Sequence, residues 1–202
     1  MNTKFYDALG IVLRPAYKLL FPGSKVTGAE NIPAEGGFII CANHIHWNDC
    51  LYLAAKIRGH RITYLCKAEV FANRLYTWIV GEKGLGAIPI HRGETDLTAM
   101  RAALKVVADG DVLGIFPQGT RSRDNTPTPM LNGVSMIAMR AKAPIIPVYI
   151  DGPYRPFRRI DVRIGKPIDI SDLGRRPDAA TMNAITERIA DAIWSQRNVP
   201  AK

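Results

Sequence analysis

After Pro22-Gly23, short apolar runs alternate with longer segments of helical periodicity, and this alternation constrains the fold more than any other feature. The runs at 38–42, 62–66, 86–90, 112–116, 145–150 and 162–164 read as strands. Several are rich in β-branched residues, and most are bounded by Gly or Pro. Between them the period changes to that of a helix. One segment starts near Thr95, a suitable N-cap, carries Leu97, Met100, Leu104 and Val107 on one stripe, and stops at Asp109-Gly110. A second covers 132–142 and ends at Ala143-Pro144, and a third carries Met182, Ile185, Ile189 and Ile193. Strand and helix in alternation predict an α/β fold: a single domain over residues 24–202 with a mostly parallel sheet flanked by helices. A chain of 202 residues supports one full core, and no repeat or low-complexity linker divides it.

Residues 1–23 form an amphipathic appendage. Phe5, Leu9, Ile11, Val12, Leu13, Leu19 and Phe21 are apolar, but Asp7, Arg14, Pro15 and Lys18 interrupt them. A bilayer span needs about 20 largely apolar residues, so this segment reads as a helix or bent helix pair that does not cross. It suits a membrane interface, with Arg14 and Lys18 at headgroup level, and it equally suits an ordinary helix packed on the domain.

The polar clusters follow directly on the apolar runs. Asn43-His44 comes after 38–42, Lys67 after 62–66, His91-Arg92 after 86–90, and Gln118 to Arg121 after 112–116. In open α/β sheets the ligand crevice lies outside the carboxyl ends of the strands, so parallel pairing would bring four segments to one site. Within the first cluster, Asp49 falls where the next helix should begin, and a carboxylate there can accept a hydrogen bond from His44. Such a pairing orients the imidazole and leaves its other nitrogen free as a general base. A capping Asp with an incidental His is the plainer alternative, and His46 competes with His44. His44, His46 and Asp49 could also be metal ligands, but no second ligand cluster follows, and the expectation is no metal.

Arg92 and Arg121 each leave a strand end in a Gly-flanked turn, and Thr120 and Ser122 add hydroxyls beside Gly119. Arginine's planar fork suits phosphate oxygens, although either residue alone could be a solvated loop cation. No G-x-S-x-G elbow and no P-loop is present, so the substrate itself should bring the nucleophile. Lys plus Arg number 27 against 18 acids, a net charge of +9 that favours anionic partners. A basic cluster of Arg155, Arg158, Arg159, Arg163 and Lys166 could meet an anionic surface. Aromatic content is only 8% and no nucleic-acid motif occurs, so no nucleic acid is expected as partner. Cys41, Cys50 and Cys66 form no metal-type spacing and read as reduced thiols, with Cys41 or Cys50 as a nucleophile the lesser possibility.

Taken in order, these blocks resemble the glycerolipid acyltransferases. His44 to Asp49 is similar to that family's H-x4-D motif, and Gly86 to Arg92 to the block ending in the arginine that binds acceptor phosphate. Phe116 to Ser122 resembles F-P-E-G-T-R-S, Ala143-Pro144-Ile145-Ile146-Pro147-Val148 resembles the fourth block, and Lys67 falls where a lysine near the phosphate is common. Gln118 replaces the usual Glu, and Asn132 stands before Gly133 where a Lys is frequent. The resemblance implies an enzyme with His44 and Asp49 as catalytic residues and Lys67, Arg92, Gln118, Gly119, Thr120 and Arg121 as substrate-binding residues. It implies transfer of a fatty acyl group from acyl-CoA or an acidic acyl carrier protein to lysophosphatidic acid, making phosphatidic acid for phospholipid synthesis. No cofactor is implied; the acyl donor is a substrate. The expected partners are a membrane lipid acceptor and an anionic membrane surface, and the expected location is peripheral, on the cytoplasmic face. Glycerol phosphate or another lysolipid as acceptor, a nucleic-acid module and a metal-dependent phosphoesterase are the competing readings.

Overall fold

The computed structural model describes residues 3–81, 84–91, 96–122, 124–174 and 176–200, with the backbone alone at Tyr76. Seven strands form one sheet in the order β1-β7-β6-β2-β5-β3-β4. They are β1 (Val26–Thr27), β2 (Phe38–Ala42), β3 (Ile62–Lys67), β4 (Ile88–Ile90), β5 (Val112–Ile115), β6 (Ile145–Asp151) and β7 (Asp161–Ile164). Every pairing is parallel except that of β6 with β7. The six expected strands are present, with ends shifted by up to two residues. β5 stops before Phe116 because the Phe116 carbonyl turns away to accept the Gly119 N–H at 3.0 Å. The two-residue β1 is too short to show as a sequence pattern.

All five residues of β2 are buried, because helices cover both faces of the sheet. On one face Phe38, Ile40, Ala42, Ile62, Tyr64 and Ile146 pack under α1 (Thr3–Leu20) and α2 (Asp49–Lys56). On the other, Ile39, Cys41, Leu113 and Ile145 meet α4 (Leu97–Ala108), α5 (Gly133–Ala141) and α6 (Ala179–Ser195). A further helix not anticipated from sequence, α3 (Arg74–Val80), links β3 to β4. The N-cap of α4 is Asp96, whose side chain accepts the Ala99 N–H at 2.9 Å; Thr95 lies outside the described residues. The apolar stripe of α6 is buried at Ile185, Ile189 and Ile193, as its spacing predicts.

The N-terminal segment is one helix that continues through Pro15 and packs on the domain along one side. Tyr6, Gly10 and Tyr17 face inward, and Phe21 just beyond the helix is also buried. Burying an aromatic ring of that size is worth roughly 2 kcal/mol, so α1 is part of the core. Its outer side leaves Ile11, Val12 and Leu19 about two-thirds exposed or more, at 70, 65 and 73%. No helix among the described residues is long and apolar enough to cross a membrane.

Candidate active site

Because β2, β5, β3 and β4 run parallel, their carboxyl ends share one edge of the sheet. Neighbouring strands lie about 4.8 Å apart, which sets β3 about 10 Å and β4 about 14 Å from β2 along that edge. The edge therefore collects His44 after β2, the Gln118–Arg121 turn after β5, Lys67 at the end of β3, and His91 after β4. Arg92 follows His91 but lies outside the described residues.

His44 leaves β2 in a turn closed by Asp49, the first residue of α2. The Asp49 carboxylate is fully buried, and its Oδ2 accepts three hydrogen bonds. They come from His44 Nδ1 at 2.6 Å, the Ile45 N–H at 2.8 Å and the His46 N–H at 2.9 Å. The carboxylate fixes the proton on Nδ1, so Nε2 is the nitrogen left with a lone pair. Behind the imidazole lies the Phe116 ring, stacked at 4.3 Å, and behind that the Tyr64 ring at 5.7 Å and only 7° from parallel. Gly114 makes the stack possible: a Cβ there would meet the Tyr64 ring at 2.4 Å. His46 takes a different place. Its ring stacks on Tyr154 at 4.8 Å and its Nδ1 accepts the Asn48 N–H, while its backbone N–H reaches Asp49.

The turn after β5 is fastened to His44 by two bonds. Gln118 Oε1 accepts the His44 N–H at 2.7 Å, and the His44 carbonyl accepts the Ser122 N–H at 2.8 Å. Gln118 is buried, and its amide donates to the Thr128 hydroxyl, so its side chain ties the His44 backbone to the loop. Gly119 takes a left-handed φ of 65°, and a Cβ there would crowd Leu131 Cδ1 at 2.5 Å. Thr120 and Arg121 follow as exposed side chains on the rim, within two residues of the strand-like contact to His44. Lys67 is partly exposed, forms an ion pair with Glu69 at 3.1 Å, and is in register with Ile90 of β4.

Two further residues complete the geometry and were given no role from sequence. Asn43 is fully buried; its Oδ1 accepts the Ile150 N–H at 2.7 Å and its Nδ2 donates to the Ile150 carbonyl at 3.0 Å. It continues the β2–β6 pairing where the ladder ends, and its place directly before His44 was the available signal. Tyr154 arrives from the β6–β7 loop. Its buried hydroxyl and Asp49 Oδ1 both lack a hydrogen-bond partner among the described residues. Burial first, and then the Asp49 charge, push that hydroxyl far above the ordinary phenol range.

Several expectations change at this level. Burial pushes the Cys41 and Cys50 thiols well up, so neither offers a thiolate; none of the three cysteines forms a disulfide. The late basic cluster divides: Arg163 is buried against Asp151 and the Arg197 carbonyl, and Arg159 is paired with Asp161. Only Arg155, Arg158 and Lys166 remain as open surface cations. Asn132 precedes α5 and is held by Asn183 and Thr186 of α6, so it braces two helices on the far face of the sheet. Among the described residues no three His, Cys, Asp or Glu side chains gather closely enough to hold a metal ion.

Comparison with known proteins agrees with this geometry. The family described as acyltransferase matches residues 23–151, which include every strand of the sheet except β7. The 1-acyl-sn-glycerol-3-phosphate acyltransferase of Bacillus subtilis is 31% identical over 182 residues, 87% of this chain and 89% of that protein. The enzyme of the same name from Streptococcus pneumoniae is 31% identical over 156 residues, 74% of this chain and 57% of that protein. The crystal structure of the 1-acyl-sn-glycerophosphate acyltransferase from Thermotoga maritima superposes with a TM-score of 0.71 at 22% identity, over 98% of this chain and 80% of that one, which bears on the fold. With the family match spanning the whole carboxyl edge and a relative aligned almost end to end, the chain belongs to the acyltransferase family.

Proposed function

We propose that this acyltransferase moves a fatty acyl group from a thioester to the free hydroxyl of lysophosphatidic acid, making phosphatidic acid. The observation that carries the reading is the His44–Asp49 pair at the carboxyl edge of the sheet, beside the Arg121 turn. The printed activity of the Bacillus and Streptococcus relatives supports the acceptor. His44 and Asp49 are the catalytic residues. His44 Nε2 takes the proton of the acceptor hydroxyl as its oxygen attacks the thioester carbonyl. The tetrahedral oxyanion then collapses, the C–S bond breaks, and the departing thiolate recovers the proton from His44. Asp49 holds the imidazole in the required tautomer and stabilises the imidazolium. Its buried charge is shared among three donors on Oδ2, and rotation of the Tyr154 hydroxyl toward Oδ1 would add a fourth.

Arg121, with Arg92 and Lys67, neutralises the acceptor phosphate, while Thr120 and the Gly119 backbone shape the turn. The donor is acyl-CoA or an acyl carrier protein, and the basic chain suits either anionic carrier. The protein works on the cytoplasmic side of a membrane without spanning it, through residues 1–23. Ile11, Val12 and Leu19 of α1 enter the interface, and exposed Trp47, Leu75, Trp78 and Phe157 extend the apolar contact. The reading is tested by mass-spectrometric product analysis with an acyl thioester and a panel of lysolipids. Phosphatidic acid should dominate; acylation of neutral or choline-bearing lysolipids alone would replace the proposed acceptor.

A further inference from the structure

A second concentration of positive charge lies away from the carboxyl edge. A crevice of about 690 Å³ opens between the C-terminal half of α1, residues 24–34 and the C-terminal end of α2. Arg14, Lys18, Lys56, Arg58 and His60 line it, and no Asp or Glu is among its described lining residues. Some cations elsewhere are paired, as in Arg61–Asp7, Lys105–Asp109 and Arg188–Asp172, and others such as Arg155, Arg158 and Lys166 stand open singly. Arg14, Lys18, Lys56 and Arg58 form no ion pair among the described residues.

Lys56 shows the cost of this arrangement. Its ammonium is half-buried over the Tyr52 ring, 5.2 Å from the centroid. Burial holds its pKa below the ordinary lysine range and Arg58 adds to the effect, while Asp161 opposes it. Asp161 is already engaged by Arg159 and the Lys25 N–H. The dipole of α2 favours a cation in its last turn, which accounts for Lys56 alone and not for the group. α2 advances about 1.5 Å per residue, so its eight residues set the crevice about 12 Å from Asp49, toward the amino end of β2. The His60 ring packs against Phe38, the first residue of that strand.

We propose that this crevice is a phosphate site, separate from the acceptor site at the carboxyl edge. Two or more converging cations with mixed Lys and Arg donors suit a phosphate ester, and the crevice supplies no carboxylate to repel it. One wall is α1, whose outer side carries Ile11, Val12 and Leu19. An anionic lipid headgroup in the crevice would therefore hold α1 at the interface, a source that rests on the membrane reading above. A soluble phosphate ester is the other source of the same chemistry.

The test compares the intact chain with Lys56→Gln/Arg58→Gln. Titration with inorganic phosphate, followed by NMR shifts, should give saturable changes at Lys18 and His60 that the variant loses. Sedimentation with phosphatidylcholine vesicles, with and without phosphatidic acid, should show the variant binding acidic vesicles roughly thirtyfold less, the scale of two surface cations. Its turnover of a soluble short-chain acceptor should be unchanged. Phosphate shifts with unaltered vesicle binding would support the site and assign it to a soluble ester. Absent or unchanged phosphate shifts would overturn the site, and so would lost short-chain turnover, because the crevice would then belong to the acceptor site. Failure of the intact chain to bind any vesicle would count against the membrane reading alone, since the phosphate titration contains no membrane.

Discussion

Replacing His44 with alanine removes the free Nε2 but leaves Asp49 its two backbone donors, so the turn should keep its shape. Turnover should fall roughly 10²–10⁴-fold, the usual contribution of a positioned base. His46→Ala should retain most activity, because its ring lies on Tyr154 and not on Asp49; the reverse ranking would mean that the base is misassigned. Tyr154→Phe keeps the ring but removes the hydroxyl proposed to turn toward Oδ1. A hydrogen bond to a charged group contributes about 1.5–3 kcal/mol, so kcat should drop at least several-fold with acceptor KM unchanged. An unchanged kcat would remove Tyr154 from the site. Gln118→Glu should stay active: one oxygen can still accept the His44 N–H, and the Thr128 hydroxyl can rotate to donate to the other. His44 and Asp49 were legible because their contact is local, five residues apart. Tyr154 was not, because only the β6–β7 loop brings it back more than a hundred residues later. Gln118 was recognised by position, but its buried bridging role depends on Thr128, which carries no pattern of its own.

At the scale of elements, the ring stack behind His44 depends on one missing side chain. Gly114→Ala would drive a methyl into the Tyr64 ring, and overpacking of this kind costs about 1–3 kcal/mol. Thermal unfolding should register the loss, and kcat should fall with it as Phe116 shifts against His44. A fully stable, fully active variant would show that the stack is dispensable. The N-terminal helix calls for a finer tool than deletion, because removing it would also remove Tyr6, Tyr17 and Phe21 from the core. Changing Ile11, Val12 and Leu19 together to Ser should leave the fold intact and release the protein from anionic vesicles, read by sedimentation. Unaltered vesicle binding would make α1 a packing helix only. Sequence alone left these two roles open because both faces of α1 are apolar; burial separates them. β2 and β6 were evident as continuous apolar runs, whereas β1 has two residues and α3 seven, too few for a period to emerge.

For the molecule as a whole, the alternation of strand and helix was enough to place the chemistry. Parallel pairing puts every post-strand cluster on one edge, so the convergence of His44, Lys67 and Arg121 follows from connectivity before any side chain is placed. Surface charge was less legible. The basic residues of 155–166 look equivalent in sequence, yet Asp151 and Asp161 neutralise two of them, while four cations from two segments, without an ion pair among the described residues, meet in a crevice that no local motif announces. The exposed apolar side chains of α1, α3 and the loops are the other feature of scale, and under the proposed membrane attachment they would give the enzyme a route to a lipid acceptor. The acceptor assignment is the claim on which the rest depends. The intact protein and His44→Ala should be incubated with an acyl thioester and an equimolar mixture of lysophosphatidic acid, glycerol phosphate and lysophosphatidylcholine, and the products identified by mass. Phosphatidic acid as the dominant product, nearly lost in His44→Ala, is the predicted result; equal product from the two proteins, or acylation confined to the other acceptors, would contradict it.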